Sequence, residues 1–275
     1  MKYLYKYRDI QQNNLSECFN IRNLIDNKAT ISSRRCFNDP NDSKINFKKP
    51  TLKEYKLSKK QIHRKKLNEY INLKNESGFT KEAMKLFEIL EIEFNKLIDE
   101  FGIYCLTDKG TDPFMWREYA DNHRGFCIKF NKENFGENFG IYPITYNNKL
   151  PELNLKEILK LHFDVQINDD TFGKEIHSKL MIKLDEYRPE NEYKYIMSGK
   201  LQGQDRIHKT YPKEVVDEVI FGWKMPIEAK KYIMEFTDFK YSQIIKCNDE
   251  FIIVPFDEKE HLKSVYSPNN DEGKV

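Results

Sequence analysis

The sequence predicts an α+β fold with twisted mixed or antiparallel sheets and flanking helices. Three observations carry that expectation. Tyr-rich alternation at residues 2–8 opens the chain as a strand, and two β-like runs close it. Segments of helical period fill the middle. No regular strand–helix–strand alternation of the parallel-sheet kind occurs. With 275 residues, the expected organisation is a single domain over 1–265, with a helical insert at about 48–101 and a flexible tail at 266–275.

The elements follow in order. Leu15 to Ile25 has helical spacing, and Ala29 to Ser33 is short and β-like. Cys36-Phe37-Asn38-Asp39-Pro40-Asn41-Asp42 is a turn cluster, because Asn and Asp bond their own backbone and Pro40 stops regular structure. Residues 51–73 and 80–101 read as two helices joined at Asn75-Glu76-Ser77-Gly78. Gly102 to Leu106 is strand-like. Asp112 and Pro113 then open a helix as N-cap and first residue, running from Phe114 to Asp121. Phe126 to Phe130 is a strand, and residues 151–165 and 174–186 have helical spacing. Glu192 to Ile196 and Val215 to Phe221 read as strands. Pro226 starts a helix to about Phe236, and Tyr241 to Cys247 and Phe251 to Phe256 form a final hairpin.

Composition excludes several classes. Aromatic residues at 13% supply a core, so the chain is not a disordered polymer. Mean hydropathy is −0.77 and no apolar run reaches membrane-spanning length, which excludes a transmembrane helix. The first eight residues carry no apolar signal-peptide core. Five cysteines without a CxxC pair read as reduced cytoplasmic thiols, forming neither a disulfide framework nor a zinc site. Six scattered histidines offer no ligand spacing, so no metal is expected. P-loop, GxGxxG, HExxH and GxSxG motifs do not occur.

Four features are candidates for chemistry. From Lys44 to Lys66 there are ten basic residues and one acid, Glu54. This run, with Lys59, Lys60, Arg64, Lys65 and Lys66 at its end, is a candidate phosphate or nucleic-acid contact; a solvated helix face is the plain alternative. Glu190-Asn191-Glu192 places two carboxylates two residues apart, which on a strand puts both on one face. Like charges so placed perturb each other and suit an acid pair, whereas an exposed edge would merely tolerate them. Trp116 and Tyr119 share a helical face ahead of His123, as core packing or as an aromatic wall for a flat heterocycle. Arg8 ends the first strand, either as a surface charge or as a grip for a diphosphate.

Several segments in this order are similar to the bacterial domain of unknown function 2971 family. They are Leu4-Tyr5-Lys6-Tyr7-Arg8, Phe37-Asn38-Asp39-Pro40-Asn41-Asp42 and Tyr104-Cys105-Leu106-Thr107. The most distinctive is Met115-Trp116-Arg117-Glu118-Tyr119-Ala120-Asp121-Asn122-His123-Arg124-Gly125-Phe126, followed by Tyr187 to Lys194 and Val219-Ile220-Phe221-Gly222. Tyr187, Lys194 and Asn41 depart from the family's usual tryptophan, arginine and aromatic residue. The layout in turn resembles an ADP-ribosyltransferase core. That resemblance implies NAD as substrate and an activity as an NAD-dependent transferase or NAD hydrolase, as a toxin or effector of phage defence by abortive infection. It implies Glu192 stabilising the ribose cation and Glu190 orienting the acceptor, with Arg8, Ser33, Trp116, Tyr119 and His123 around the dinucleotide. Its implied partners are a nucleic-acid or protein target and an antitoxin or defence-system protein, in the cytoplasm and without a membrane. A non-enzymatic sensor module contacting nucleic acid or a phage component is the rival expectation. A metal-dependent nuclease using Asp39, Asp42 and the Glu pair is a third.

Overall fold

The computed structural model describes residues 2–10, 14–58, 66–163, 169–199, 201–248 and 250–258. In chain order the first elements are β1 (Tyr3–Arg8), α1 (Phe19–Ile25), β2 (Lys28–Ser32), β3 (Asn46–Lys48), α2 (Leu52–Ser58), α3 (Leu67–Ile71), β4 (Lys74–Asn75), β5 (Gly78–Phe79) and α4 (Lys81–Asp99). Then come β6 (Gly102–Thr107), α5 (Pro113–Tyr119), β7 (Phe126–Asn131), α6 (Lys132–Asn138), β8 (Ile141–Pro143), β9 (Thr145–Asn147), β10 (Glu152–Asn154), α7 (Leu155–His162) and α8 (Asp169–Leu180). The last are β11 (Ile182–Leu184), β12 (Glu192–Met197), β13 (Arg206–Thr210), β14 (Val216–Phe221), α9 (Ile227–Phe236), β15 (Tyr241–Cys247) and β16 (Glu250–Pro255). The fold is α+β with a mixed sheet, as the sequence predicts.

Two compact units divide the chain. The first comprises Met1–Ala29, Cys105–Gly140 and Lys209–Val275. Its strands run β6-β1-β7-β14-β15-β16. β7 pairs antiparallel with β1, from Tyr3 opposite Asn131 to Arg8 opposite Phe126, and antiparallel with β14 on its other side. β14 and β15 are parallel, which requires a crossover, and α9 supplies it. The expected C-terminal hairpin is present as β15 and β16, with Ile244 opposite Ile253. Tyr7, Met115, Trp116, Ala120, Cys127, Ile220 and Ile244 pack together as its core. α5 begins as the sequence dictates: Asp112 Oδ1 accepts from the backbone N–H groups of Phe114 and Met115, with Pro113 at the first turn.

The second unit comprises Thr30–Tyr104 and Ile141–His208, and the whole segment 48–101 lies in it. α4 is its longest helix. Thr80 Oγ1 accepts from Ala83 N at the start, and Ala83, Phe87, Leu90, Phe94 and Ile98 form the buried stripe at helical spacing. That stripe meets α7 and a core in which Tyr55 stacks on Tyr70 at 4.4 Å.

Of the helix expected over 51–73, α2 and α3 are described, and 59–65 lie outside the described residues. Three other helical expectations need correction. Residues 152–154 extend to pair in parallel with β3 before α7 begins. The run 174–186 breaks after Leu180, because Ile182-Lys183-Leu184 pairs with β9. In both cases neighbouring strands override a local helical period. α1 likewise begins only at Phe19, after a turn at Leu15–Glu17.

Candidate functional site

The second unit contains a buried cluster of five charged side chains: Asp42, Lys183, Glu190, Glu192 and Lys194. Each is brought there by a different local device. Asp42 sits in the turn after Pro40, beside Ser43, whose φ of 56° closes that turn. Lys183 is the middle residue of β11, so its side chain faces opposite to its apolar neighbours Ile182 and Leu184. Glu192 opens β12, and Lys194 follows two residues on, facing the same way.

Glu190 is not on the strand. It ends a 3-10 turn over Asp185–Glu190, and Asn191 has left-handed φ and ψ of 48° and 54°. The shared-face argument for the two glutamates is therefore corrected: a left-handed kink, not strand alternation, aims them at one point. Asn is among the few residues that adopt this conformation cheaply.

That point is the Lys183 ammonium. Its Nζ lies 2.6 Å from Glu190 Oε2, 2.9 Å from Glu192 Oε2 and 3.3 Å from Asp42 Oδ2. Lys194 is fully buried; it donates to Asp42 Oδ1, and to Ser43 Oγ at 3.0 Å. Lys194 Nζ is also 3.6 Å from Glu192 Oε1, and that oxygen, buried, accepts no hydrogen bond among the described residues. The backbone N–H of Glu192 donates to the Tyr146 hydroxyl at 2.8 Å. Two half-buried rings border the cluster, Tyr146 and Tyr187, the latter 4.8 Å from Lys183 Nζ.

The electrostatics follow from low dielectric and close pairing. Burial alone would raise the Asp42 carboxyl, but Lys194 and Lys183 overcome it and hold the group below the ordinary carboxylate value. Burial alone would lower the Lys183 ammonium, but Glu192, Asp42 and Glu190 outweigh it and raise the group far above a free lysine. The Tyr146 phenol is pushed up to about 12, by burial first and by the two glutamate charges next. With all five groups ionised, three carboxylates face two ammonium groups, so the cluster carries one net negative charge. Among the described residues no group of three or more His, Cys, Asp or Glu side chains is placed to hold a metal ion. Lysine nitrogen occupies the point between the acids.

The remaining sequence candidates are distributed as follows. Ser33 is fully buried and its hydroxyl donates to the Asp99 carbonyl at 2.9 Å. Lys66 is half-buried and donates to the His162 carbonyl at 3.4 Å. Lys59, Lys60, Arg64 and Lys65 lie outside the described residues. Arg8, Trp116, Tyr119 and His123 belong to the first unit, whereas Glu190 and Glu192 belong to the second. Arg8 is half-buried at the end of β1. Trp116 is fully buried: its indole N–H donates to the Gly110 carbonyl and Tyr7 packs edge-on against it at 5.1 Å. Tyr119 on the same helix is exposed. Lys183 and Tyr146 were invisible as site residues. The signal for Lys183 was a single charge flanked by Ile182 and Leu184; Tyr146 gave none.

His123 sits in a strained turn. Asp121, Asn122 and His123 all have positive φ, at 45°, 50° and 69°. The turn is clamped by close backbone approach: a Cβ on Gly222 would stand 2.0 Å from the His123 carbonyl, and one on Gly125 2.0 Å from the Arg8 carbonyl. The His123 ring lies parallel to Trp116 at 5.6 Å and near Phe251 at 4.8 Å. Burial, with a smaller contribution from Lys224, pushes its imidazole down to about 4.

Fold and site together define an α+β protein with a buried, net-negative lysine–carboxylate cluster. Residues 115–195 match the family model described as protein of unknown function DUF2971. That segment begins on the tryptophan helix and ends on β12, so it includes both glutamates and both lysines of the cluster, and supports the family resemblance read from the sequence. No curated protein and no solved structure matches the chain. No helix among the described residues is long and apolar enough to cross a membrane.

Proposed function

We propose that the protein is an ADP-ribosyltransferase-like enzyme that uses NAD to modify a macromolecular target, or hydrolyses NAD, as a toxin or effector of phage defence. The observation that carries this reading is Glu192 Oε1, a buried carboxylate oxygen that accepts no hydrogen bond within a cluster of net negative charge. In the proposed reaction the bond from ribose C1′ to the nicotinamide nitrogen breaks, and nicotinamide leaves with the electron pair. Positive charge develops on the ribose, and Glu192 stabilises it through the ribose hydroxyl. An acceptor oxygen or nitrogen, from a macromolecule or water, then bonds to C1′, and Glu190 takes its proton. Lys183 keeps both acids oriented.

The test is incubation with NAD. Nicotinamide release by the wild type, lost in Glu192→Gln at equal amounts of folded protein, supports the reading. Because Glu192 is ion-paired, Glu192→Gln also lowers stability, so turnover is normalised to the folded fraction. Silence with NAD overturns the enzymatic reading.

The rival, a non-enzymatic binding or sensor module, is favoured by one observation. All five charges pair among themselves, and each is at most 7% exposed. Such closure is what a purely structural cluster would show. An intact fold with no nicotinamide release, and retention of a macromolecular ligand, is its expected behaviour.

A further inference from the structure

Within the basic run, the described part presents exposed lysines that lack acidic partners. Lys44, Lys48, Lys49, Lys53 and Lys56 are all exposed: Lys44 before β3, Lys48 at its end, Lys49 just after it, and Lys53 and Lys56 on α2. Among the described residues none of these five ammonium groups takes part in an ion pair, a ring contact or a side-chain hydrogen bond. The single acid of the segment is occupied. Glu54 Oε2 accepts from Thr51 N at 2.8 Å and from Thr51 Oγ1 at 2.9 Å, while Oε1 accepts from Asn154 Nδ2 at 2.9 Å. With Glu54 N donating back to Thr51 Oγ1, this is a capping box that starts α2. Glu54 is therefore committed to the helix start, to β10 and to Lys156, 3.7 Å away, and forms no ion pair with the five lysines. Elsewhere on the same unit lysines do find acids, as Lys96 with Glu93 and Lys160 with Glu157.

Five cations against one carboxylate on 13 successive residues (44–56) leave a net charge of +4, which raises the local potential. A partner that repeats negative charge at short intervals complements that potential. A nucleic-acid backbone does so, at about one charge per 1.7 Å of duplex axis, and needs only point charges in return. A membrane surface fits less well. Interfacial anchoring needs a helix with a continuous apolar face, whereas α2 turns Tyr55 into the core and sets exposed Lys53 and Lys56 between its exposed Leu52 and Leu57. The lysine run starts two residues after Asp42, so a strand held on it is tethered by the same chain segment that supplies a carboxylate to the cluster.

We propose that the exposed lysines Lys44, Lys48, Lys49, Lys53 and Lys56 dock the phosphate backbone of a nucleic acid. The inference does not depend on NAD chemistry, and its experiment reads binding alone. Fluorescence anisotropy with labelled mixed-sequence duplex DNA and single-stranded RNA is measured between roughly 50 and 200 mM salt. The wild type binds at least one of them and weakens by about tenfold or more across that range. The fourfold variant K48Q/K49Q/K53Q/K56Q loses about tenfold or more at low salt, and its log–log salt slope falls by about 3. The corresponding fourfold arginine variant binds as the wild type does, and circular dichroism shows both variants folded. Equal binding by the glutamine variant, no binding of either nucleic acid at low salt, or binding only to phosphatidylserine vesicles overturns the inference. Absence of NAD turnover in the wild type, with binding intact, counts against the enzymatic reading alone.

Discussion

Lys183 and Glu192 are nine positions apart in the chain and share one ion pair, with Nζ 2.9 Å from Oε2 and both side chains buried. Burial removes both groups from water, so neither is stable alone. The lysine serves three acids at once, which ties β11, the 3-10 turn before β12 and the Asp42 turn to one atom.

Lys183→Met is therefore expected to destabilise the protein by about 3–5 kcal/mol, because it leaves three acids with Lys194 as their only ammonium partner in the cluster. Urea unfolding at neutral pH measures this. Combining it with Glu190→Gln recovers part of the loss, with a coupling of about 1–3 kcal/mol, since the second change removes one stranded charge. Strict additivity would mean that the two groups do not interact in solution.

The acid side of the stability profile depends on Asp42. Its folded-state value is depressed below the ordinary 3.8 by Lys194 and Lys183, against the opposing effect of burial. Its contribution is present above the unfolded value and is lost as the pH falls through the folded one. Lys183 works in the opposite sense: raised from 10.5, its contribution is complete below that value and is lost only far into alkali. Between about pH 4 and 10 this pair of groups therefore gives a flat profile. Asp42→Asn lowers stability at neutral pH, and the difference from wild type shrinks as the pH is taken down past about 4. Unfolding curves at stepped pH check it; a difference that grows in acid contradicts the assignment.

Much of this architecture is legible in the residues. The strands at both ends, the Asp112–Pro113 helix start and the stripe on α4 follow from local patterns that tertiary packing leaves in place. The short strands β10 and β11 do not, because each borrows its conformation from a distant partner, Asn46–Lys48 and Thr145–Asn147 respectively. The glutamate pair was legible as a pair, for a reason that did not hold. Strand periodicity pointed at Glu190 and Glu192, whereas the left-handed Asn191 is what lets both reach Lys183. Lysine in an apolar strand carries no motif, so the group that organises the site was hidden. Asp42 was visible as a possible metal ligand, and in the structure pairs with lysine instead.

His123 provides a test in the first unit. Its imidazole is held down to about 4 by burial between Trp116 and Phe251, against 6.5 for a free histidine. A depressed folded value means that the unfolded chain binds the proton first as the pH falls. Stability is then full above about pH 6.5 and declines between about 6.5 and 4, by about 1–3 kcal/mol, before levelling off below both values. Nuclear magnetic resonance titration of the His123 ring should place its midpoint near 4. His123→Asn tolerates the positive φ of 69° and removes the titrating ring, so its stability is lower at neutral pH but loses this component of the decline. A ring that titrates near 6.5 would show that the imidazole reaches water, and that the turn clamped by Gly125 and Gly222 opens in solution.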